Sequence, residues 1–253
     1  MDLERIAQQI GKPYYMEEEV LIFNMDCRLG IDTMRATGIQ IDTTITSPPY
    51  NIGKEYENVI PTTDYIDWLS QIINSIYDIT APNGACLLNL GYFHVPNRGR
   101  AIPIPYLLWD KINFYLNQEI VWNYGAGVAC KHFLSPRNEK ILWYVKDQTN
   151  YVFNLDDIRD PDVKYPNQKK NGKLRCNTLG KNPQYTWQES FGCLANSKSH
   201  VRHKSRFKRK DTASCTISDG FDKSYGCWIY GAKYDCNGSI YGFGYNSDLF
   251  NNS

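Results

Sequence analysis

Apolar and polar positions along the chain alternate between two rhythms, one of strands and one of helices. Val20-Leu21-Ile22-Phe23 predicts a short buried strand, and Asp42-Thr43-Thr44-Ile45-Thr46 a second, β-branched one that runs into Ser47-Pro48-Pro49-Tyr50. Two prolines stop it there, because neither can donate to a ladder. Thr62-Thr63-Asp64 supplies a helix start, after which Ile66, Leu69, Ile73 and Ile76, with Ile72 and Ile79, recur at the three- and four-residue steps of one helix face. Pro82-Asn83-Gly84 is expected to end that helix. Ala85-Cys86-Leu87-Leu88-Asn89-Leu90 then reads as a buried strand, 106–116 as a helix, and 119–122 and 140–146 as two further strands. Strand, helix, strand, helix, strand is the order of an open α/β sheet. Ligands of such sheets sit at the carboxyl ends of the strands, so the loop opening at Ser47 lies where chemistry is expected. Beyond about residue 150 the periodicity fades. The segment 156–173 is rich in Asp, Pro, Asn and Lys and predicts a surface loop or insertion, and from about 190 to 253 no helix or strand pattern emerges.

Composition narrows the class. With 253 residues, 42% of them hydrophobic, and 28 Lys+Arg against 27 Asp+Glu, the chain can form one large or two small globular domains and is no polyelectrolyte. No stretch approaches the roughly 20 apolar residues that cross a bilayer, and Asp2 and Glu4 stand where a secretory leader would be basic. A cytoplasmic protein without membrane contact is expected. The eight Cys are scattered without a C-x-x-C pair, which predicts reduced thiols. The near-neutral net charge hides one basic run, 198–210 (KSHVRHKSRFKRK), which could neutralise nucleic-acid phosphates or simply be a solvated segment.

Several chemistries drop out. There is no G-x-S-x-G, no H-E-x-x-H, and no Gly-Lys followed by Ser or Thr. Gly125-Ala126-Gly127 and Gly242-Phe243-Gly244 lack the third glycine of a dinucleotide fingerprint and are expected to be turns. His94, His132, His200 and His203 have no ligand spacing with the cysteines, so no metal site is expected. What remains is Thr46-Ser47-Pro48-Pro49-Tyr50-Asn51-Ile52-Gly53-Lys54 after a β-rich strand. The prolines remove two backbone donors, leaving the Ser47 hydroxyl and main-chain carbonyls as acceptors beside an aromatic ring. Such a set suits a flat ring bearing an exocyclic amine, which the acceptors bind while Tyr50 stacks; an ordinary proline turn is the other reading.

At this point the chain resembles the amino-methyltransferases of DNA, which use S-adenosylmethionine and carry [D/N/S]-P-P-[Y/F/W]. Asn24-Met25-Asp26-Cys27 precedes the tetrapeptide where the family has its acidic cofactor-contacting turn, and Ser47-Pro48-Pro49-Tyr50-Asn51-Ile52-Gly53 is the fuller catalytic pattern. Pro82-Asn83-Gly84 with 85–91 resembles the next strand. Arg137-Asn138-Glu139-Lys140 running on to Lys146 resembles the late strand, and Gly180-Lys181-Asn182-Pro183 with Trp187 a later signature. The likeness covers roughly residues 20–188. It implies a Rossmann-like α/β methyltransferase sheet, Ser47, Pro48, Pro49 and Tyr50 as the catalytic set, and Asp26, Cys27 and Ser47 as cofactor contacts. It also implies double-stranded DNA as substrate and a cognate restriction endonuclease as a partner in function. Serine in the first motif position accompanies cytosine N4 in this family and aspartate accompanies adenine N6, so cytosine is the expected target and adenine the alternative. The C5-cytosine enzymes, which need Cys after Pro, are excluded, because the chain has no Pro-Cys.

An SPPY motif near the amino end resembles the permuted group, whose cofactor-binding half comes last and should carry a D-P-F-x-G-S-G-like loop. No such loop is present in the chain. Residues 1–190 are therefore expected to form the catalytic region, with a DNA-contacting insertion at about 150–178. The remainder, 191–253, reads as a basic and then Tyr/Gly-rich tail outside the family pattern. A sheet incomplete at its carboxyl end is expected, with the reading frame lost between about Ser190 and Lys198. A non-catalytic nucleic-acid-binding remnant is the corresponding alternative.

Overall fold

The β-branched run Ile41–Thr46 lies parallel to Thr80–Leu90, with Thr44 opposite Cys86 and Thr46 opposite Leu88, and buries Thr43, Thr44 and Thr46 while Ile45 stays exposed. A computed structural model of the chain describes residues 3–17, 20–54, 57–124, 130–188 and 230–231. In chain order the elements are α1 (Leu3–Ile10), β1 (Tyr15–Glu17), β2 (Val20–Ile22), α2 (Cys27–Thr37), β3 (Ile41–Thr46), α3 (Thr62–Ile79), β4 (Thr80–Leu90), β5 (Tyr92–Val95) and β6 (Gly99–Pro103). They continue with α4 (Pro105–Leu108), β7 (Tyr115–Asn123), β8 (Asn138–Val145), β9 (Lys169–Lys170), β10 (Lys173–Leu174), β11 (Thr186–Gln188) and β12 (Tyr230–Gly231). Six strands form the main sheet in the order β11-β7-β8-β4-β3-β12; β3/β4 and β11/β7 are parallel and the other pairs antiparallel. This is the expected α/β class.

The core lies on one face of the sheet. Helix α3 buries Tyr65, Ile66, Leu69, Ile72, Ile73, Ile76 and Ile79, the stripe its spacing predicts, in one cluster with Cys86, Leu88 and Leu90 of β4 and Leu142 and Tyr144 of β8. Cys27 and Ile31 of α2 join from the side. On the opposite face the alternate residues Leu87, Asn89 and Trp143 are only half-buried and Ile45 is 42% exposed. Tyr151 and Phe153 pack against Trp143 there, with ring centroids 5.6 and 5.3 Å away.

Three local expectations are corrected. Val20–Ile22 is a strand but not a buried one; it pairs with Tyr15–Glu17 in a separate hairpin, because a neighbour a few residues away costs less loop entropy than a place in the main sheet. The helix expected over 106–116 is a single turn, Pro105–Leu108, since Tyr106 and Trp109 are 73% and 74% exposed and share no buried face. Leu116 instead belongs to β7, opposite Tyr144. Pro82-Asn83-Gly84 does not end α3 but lies inside β4, close to where the β3/β4 register shifts between Ile41 and Thr43. A Cβ on Gly84 would come within 2.7 Å of the Asp42 carbonyl oxygen, so only glycine lets the strands approach there. The end of α3 is held instead by Lys146, whose ammonium donates to the carbonyls of Tyr77 (2.8 Å) and Thr80 (2.5 Å).

The insertion after 150 contains one regular unit: β9 and β10 pair across Asn171-Gly172, both at positive φ (52° and 77°), as a two-residue hairpin requires. Gly125-Ala126-Gly127, Gly242-Phe243-Gly244, the basic run 198–210 and the tail from 191, apart from Tyr230–Gly231, lie outside the described residues. Among the described residues no helix is long and apolar enough to cross a membrane.

Ile76 is fully buried at the centre of the cluster. Ile76→Ala should lower the unfolding free energy in urea by about 2–5 kcal/mol, the cost of a large-to-small change with its cavity.

Candidate functional site

Strand β3 ends at Thr46, and the next four residues cannot hold one another in place by main-chain bonds because two are prolines. Other groups fasten the loop. The buried Tyr65 on α3 donates its hydroxyl to the Pro49 carbonyl at 2.8 Å. Burial pushes the phenol of Tyr65 well above the usual tyrosine range, so it remains a donor. The carboxylate of Glu57 accepts from the backbone N–H groups of Tyr50 (2.8 Å), Ile52 (2.8 Å), Gly53 (3.0 Å) and Lys54 (3.2 Å). Asn51, at φ 59°, reaches Ile60 with both ends of its amide: Nδ2 donates to the carbonyl at 2.8 Å and Oδ1 accepts from the N–H at 2.9 Å. The segment from Pro49 to Ile60 is thus tied at three points.

Tyr50 is aimed inward by this clamp. A Cβ on Gly91, just past β4, would come within 2.8 Å of the Tyr50 ring, so the ring lies directly on bare backbone. Its hydroxyl meets Ser47 Oγ at 3.0 Å, Glu139 Oε2 at 3.1 Å and Asn89 Nδ2 at 3.0 Å. Asn89 Nδ2 also donates to Glu139 Oε2 at 2.6 Å. Desolvation first, and the nearby Glu139 carboxylate second among the raising influences, push the Tyr50 phenol far above its ordinary value, so the hydroxyl stays protonated and donates to Glu139. Ser47 can then donate to the Tyr50 oxygen, while its own exposed oxygen lies 3.5 Å from Asn89 Nδ2 and keeps acceptor capacity. Asn89 Oδ1 is buried and, among the described residues, has no hydrogen-bond partner. An acceptor held in that condition is short of a donor.

The expected catalytic set is therefore present at one strand end: Ser47 exposed, Pro48 buried, Pro49 and Tyr50 half-buried. Asp26 caps α2 by accepting from the Arg28 N–H at 2.9 Å and pairs with the Arg28 guanidinium at 2.5 Å. The hydrogen bonds from the Arg28 side chain hold the Asp26 carboxyl below the usual aspartate range. Cys27 is 7% exposed and lies in the core cluster.

Glu57, Asn89 and Glu139 were not singled out from the sequence. A signal existed for two of them: Asn89 and Glu139 are polar residues inside otherwise apolar strands, at positions that a two-residue period assigns to the half-buried face. Nothing in the sequence marks Glu57, because its role depends on the loop's fold. Beside Asn51 and Ile52 opens a cavity of about 610 Å³ whose walls include Tyr92, Tyr124, Phe133, Arg100 and Arg137. The Arg100 guanidinium sits over the Phe133 ring, 5.1 Å from its centroid.

The family described as DNA methylase (N6_N4_Mtase) matches residues 41–219. The Type II methyltransferase M.ScaI of Streptomyces caespitosus is 50% identical over 226 residues, covering 86% of this chain and 73% of that enzyme. The Type II methyltransferase M.BglII of Bacillus subtilis is 33% identical over 155 residues, 58% of this chain and 42% of its own length. A solved structure of the PvuII DNA methyltransferase (cytosine-N4-specific) aligns with a TM-score of 0.49 and 13% identity, covering 75% of this chain and 62% of that one.

Removing the Glu57 carboxylate leaves several loop N–H groups without their partner. Glu57→Ala should cost about 1–3 kcal/mol in urea unfolding, and amide exchange should quicken at Tyr50, Ile52, Gly53 and Lys54 while the protection of α3 is unchanged.

Proposed function

Because this chain belongs to the N6/N4 DNA methylases, we propose that its site is built to methylate the exocyclic N4 amine of cytosine in duplex DNA, as the modification partner of a restriction endonuclease. The observation that carries the reading is the hydrogen-bonded series Glu139, Tyr50, Ser47, which ends on an exposed acceptor at the strand terminus. The Type II methyltransferases among its relatives support the restriction–modification setting. Serine at position 47 favours cytosine over adenine by the family resemblance.

An exocyclic amine on a base is a poor nucleophile, because its lone pair is delocalised into the ring. Acceptors that take its two hydrogens draw the lone pair back onto nitrogen. The Ser47 hydroxyl and the Pro48 carbonyl are assigned to that role, with Asn89 Nδ2 behind Ser47, 3.5 Å from its oxygen. Glu139 and Tyr50 act as positioning residues: by accepting the phenol proton, Glu139 leaves the Tyr50 oxygen to receive the serine proton. Once the amine is methylated its extra proton is acidic, so no strong general base is needed.

S-adenosylmethionine, the methyl donor of the family, supplies an electrophilic methyl group on a sulfonium. Asp26, Cys27 and Ser47 are the assigned contacts, and their fit to that molecule is incomplete. The Asp26 carboxylate is already engaged by Arg28 and by the α2 cap, the Cys27 thiol is turned into the core, and no glycine-rich loop accompanies them among the described residues. For the chain as it stands this favours a second reading, a DNA-binding protein that retains the base-acceptor loop without turnover. Titration of the 253-residue chain with S-adenosylmethionine in a calorimeter separates the two.

The target base must leave the duplex to reach Ser47, at a cost of a few kcal/mol. The cavity beside Asn51 has the size of a base with room for its sugar, and its tyrosines and arginines suit stacking and phosphate contact. The β9–β10 hairpin carries Lys169, Lys170 and Lys173, all exposed, and is assigned to the DNA backbone.

Three outcomes test this assignment. In a chain completed by a cofactor loop, mass spectrometry of digested DNA should find N4-methylcytosine; 6-methyladenine or 5-methylcytosine as the sole product would overturn the assignment. Ser47→Ala should depress turnover more than DNA binding, whereas Tyr50→Ala should lose both the series and base stacking worth roughly 1–3 kcal/mol. Replacing Lys169, Lys170 and Lys173 together by Ala should weaken binding to all duplexes alike and flatten the dependence of log K on log salt by about 2–3.

A further inference from the structure

The mismatch between a complete acceptor loop and an incomplete cofactor site has a traceable origin. Strand β3, which delivers Ser47, is bordered on its outer side by only two described residues, Tyr230–Gly231. Among the described residues, the sheet face that carries Ile45 and Leu87 is covered less than the α3 face. The D-P-F-x-G-S-G-like loop that the family resemblance implies is also missing from the sequence.

We propose that this missing loop is encoded beneath the tail itself, one nucleotide out of frame: the nucleotides that specify Gly238 to Gly244 also specify D-P-F-x-G-S-G. This rests on membership of the methylase family but not on the choice of cytosine as target. When reading starts at the second base of each codon, every new codon takes the last two bases of one residue and the first base of the next. The tail's residues restrict what such codons can be. Gly238 followed by Ser239 permits Asp, and Ser239 followed by Ile240 permits Pro. Ile240 before Tyr241 permits only Phe, Ser, or Tyr, and Tyr241 before Gly242 only Met or Thr. Gly242 before Phe243 permits Gly, Phe243 before Gly244 only Leu or Ser, and Gly244 before Tyr245 again Gly. Asp-Pro-Phe-Met/Thr-Gly-Ser-Gly is thus available without a break.

The residues upstream tighten the case. The junctions from Tyr234 to Gly238 permit, in order, only Met or Thr, Ile or Thr, Val or Ala, and Met or Thr. Those choices make a short strand leading into a glycine loop, the arrangement in which α/β sheets hold ligands at strand ends. The third frame cannot supply the motif. There, an Asp codon followed by a Pro codon requires Ile, Met or Thr followed by a residue whose codon begins with C. Thr212, Thr216, Ile217, Ile229 and Ile240 are followed by Ala, Ile, Ser, Tyr and Tyr. The frame one nucleotide on is therefore the one that carries the loop.

The gene sequence decides the first half of this proposal codon by codon. Gly238 should be encoded by GGA, Ser239 by TCC, Ile240 by ATT, Gly242 by GGG, Phe243 by TTC and Gly244 by GGG. Any departure that breaks Asp-Pro-Phe or Gly-Ser-Gly overturns it, whatever base the family's active members methylate. The second half is read in protein. Deleting one nucleotide between the codons of Ser190 and Tyr234 should convert a chain that shows no heat of binding with S-adenosylmethionine into one that binds it. Equal binding by the 253-residue chain and the restored chain would refute the claim that the tail displaces the cofactor loop. A restored chain that binds the cofactor but methylates adenine would leave this inference intact and remove only the cytosine assignment.

Discussion

Two consecutive prolines deny the loop after β3 the donors with which a turn normally closes on itself, and the carboxylate of Glu57 makes good that loss. Four backbone N–H groups between Tyr50 and Lys54 converge on it. With their directions set, the Tyr50 side chain can point only into the molecule, over Gly91 and toward Glu139. That orientation brings the Tyr50 hydroxyl to 3.0 Å from Ser47 Oγ. A single acid thus converts a stiff but unanchored peptide into a fixed site. Its charge resides in a network of main-chain dipoles rather than in an ion pair, and such charge-assisted bonds are the stronger kind.

Much of this is legible in the chain itself. The stripe Ile66, Leu69, Ile73, Ile76 located α3, because burial against a sheet demands a 3.6-residue period. The β-branched run before Ser47 located β3. The rest depended on competition between distant segments. Val20-Leu21-Ile22 has the composition of a core strand yet pairs with Tyr15–Glu17, since proximity along the chain won over apolar content. Leu116 could not be assigned to β7 without knowing that Tyr144 would lie opposite it. Glu139 is marked in the sequence only as a polar residue within a strand; that it would meet Tyr50, 89 residues away, and Asn89, 50 away, is not. Local propensity reads elements; it does not read partners.

The two halves of the presumed reaction differ in how well this chain provides for them. On the side proposed for the base, Ser47, Tyr50, Asn89 and Glu139 form one hydrogen-bonded group beside a cavity with aromatic walls. On the side proposed for the methyl donor, Asp26 turns to Arg28 and Cys27 to the core.

The Tyr50–Glu139 hydrogen bond joins residues 89 apart and depends on β8 lying antiparallel to β4. Chain closure over such a span is entropically slow and must precede any benefit from the contacts it makes. Helix α3 and the Glu57 clamp, by contrast, rely on residues close in sequence. The loop's own ties reach no further than Tyr65, whereas Ser47 and Tyr50 gain their backing only where β8 lies beside β4. The arrangement at this strand end is therefore a property of the whole sheet, and a shift in the β4/β8 pairing would reach the loop through Glu139.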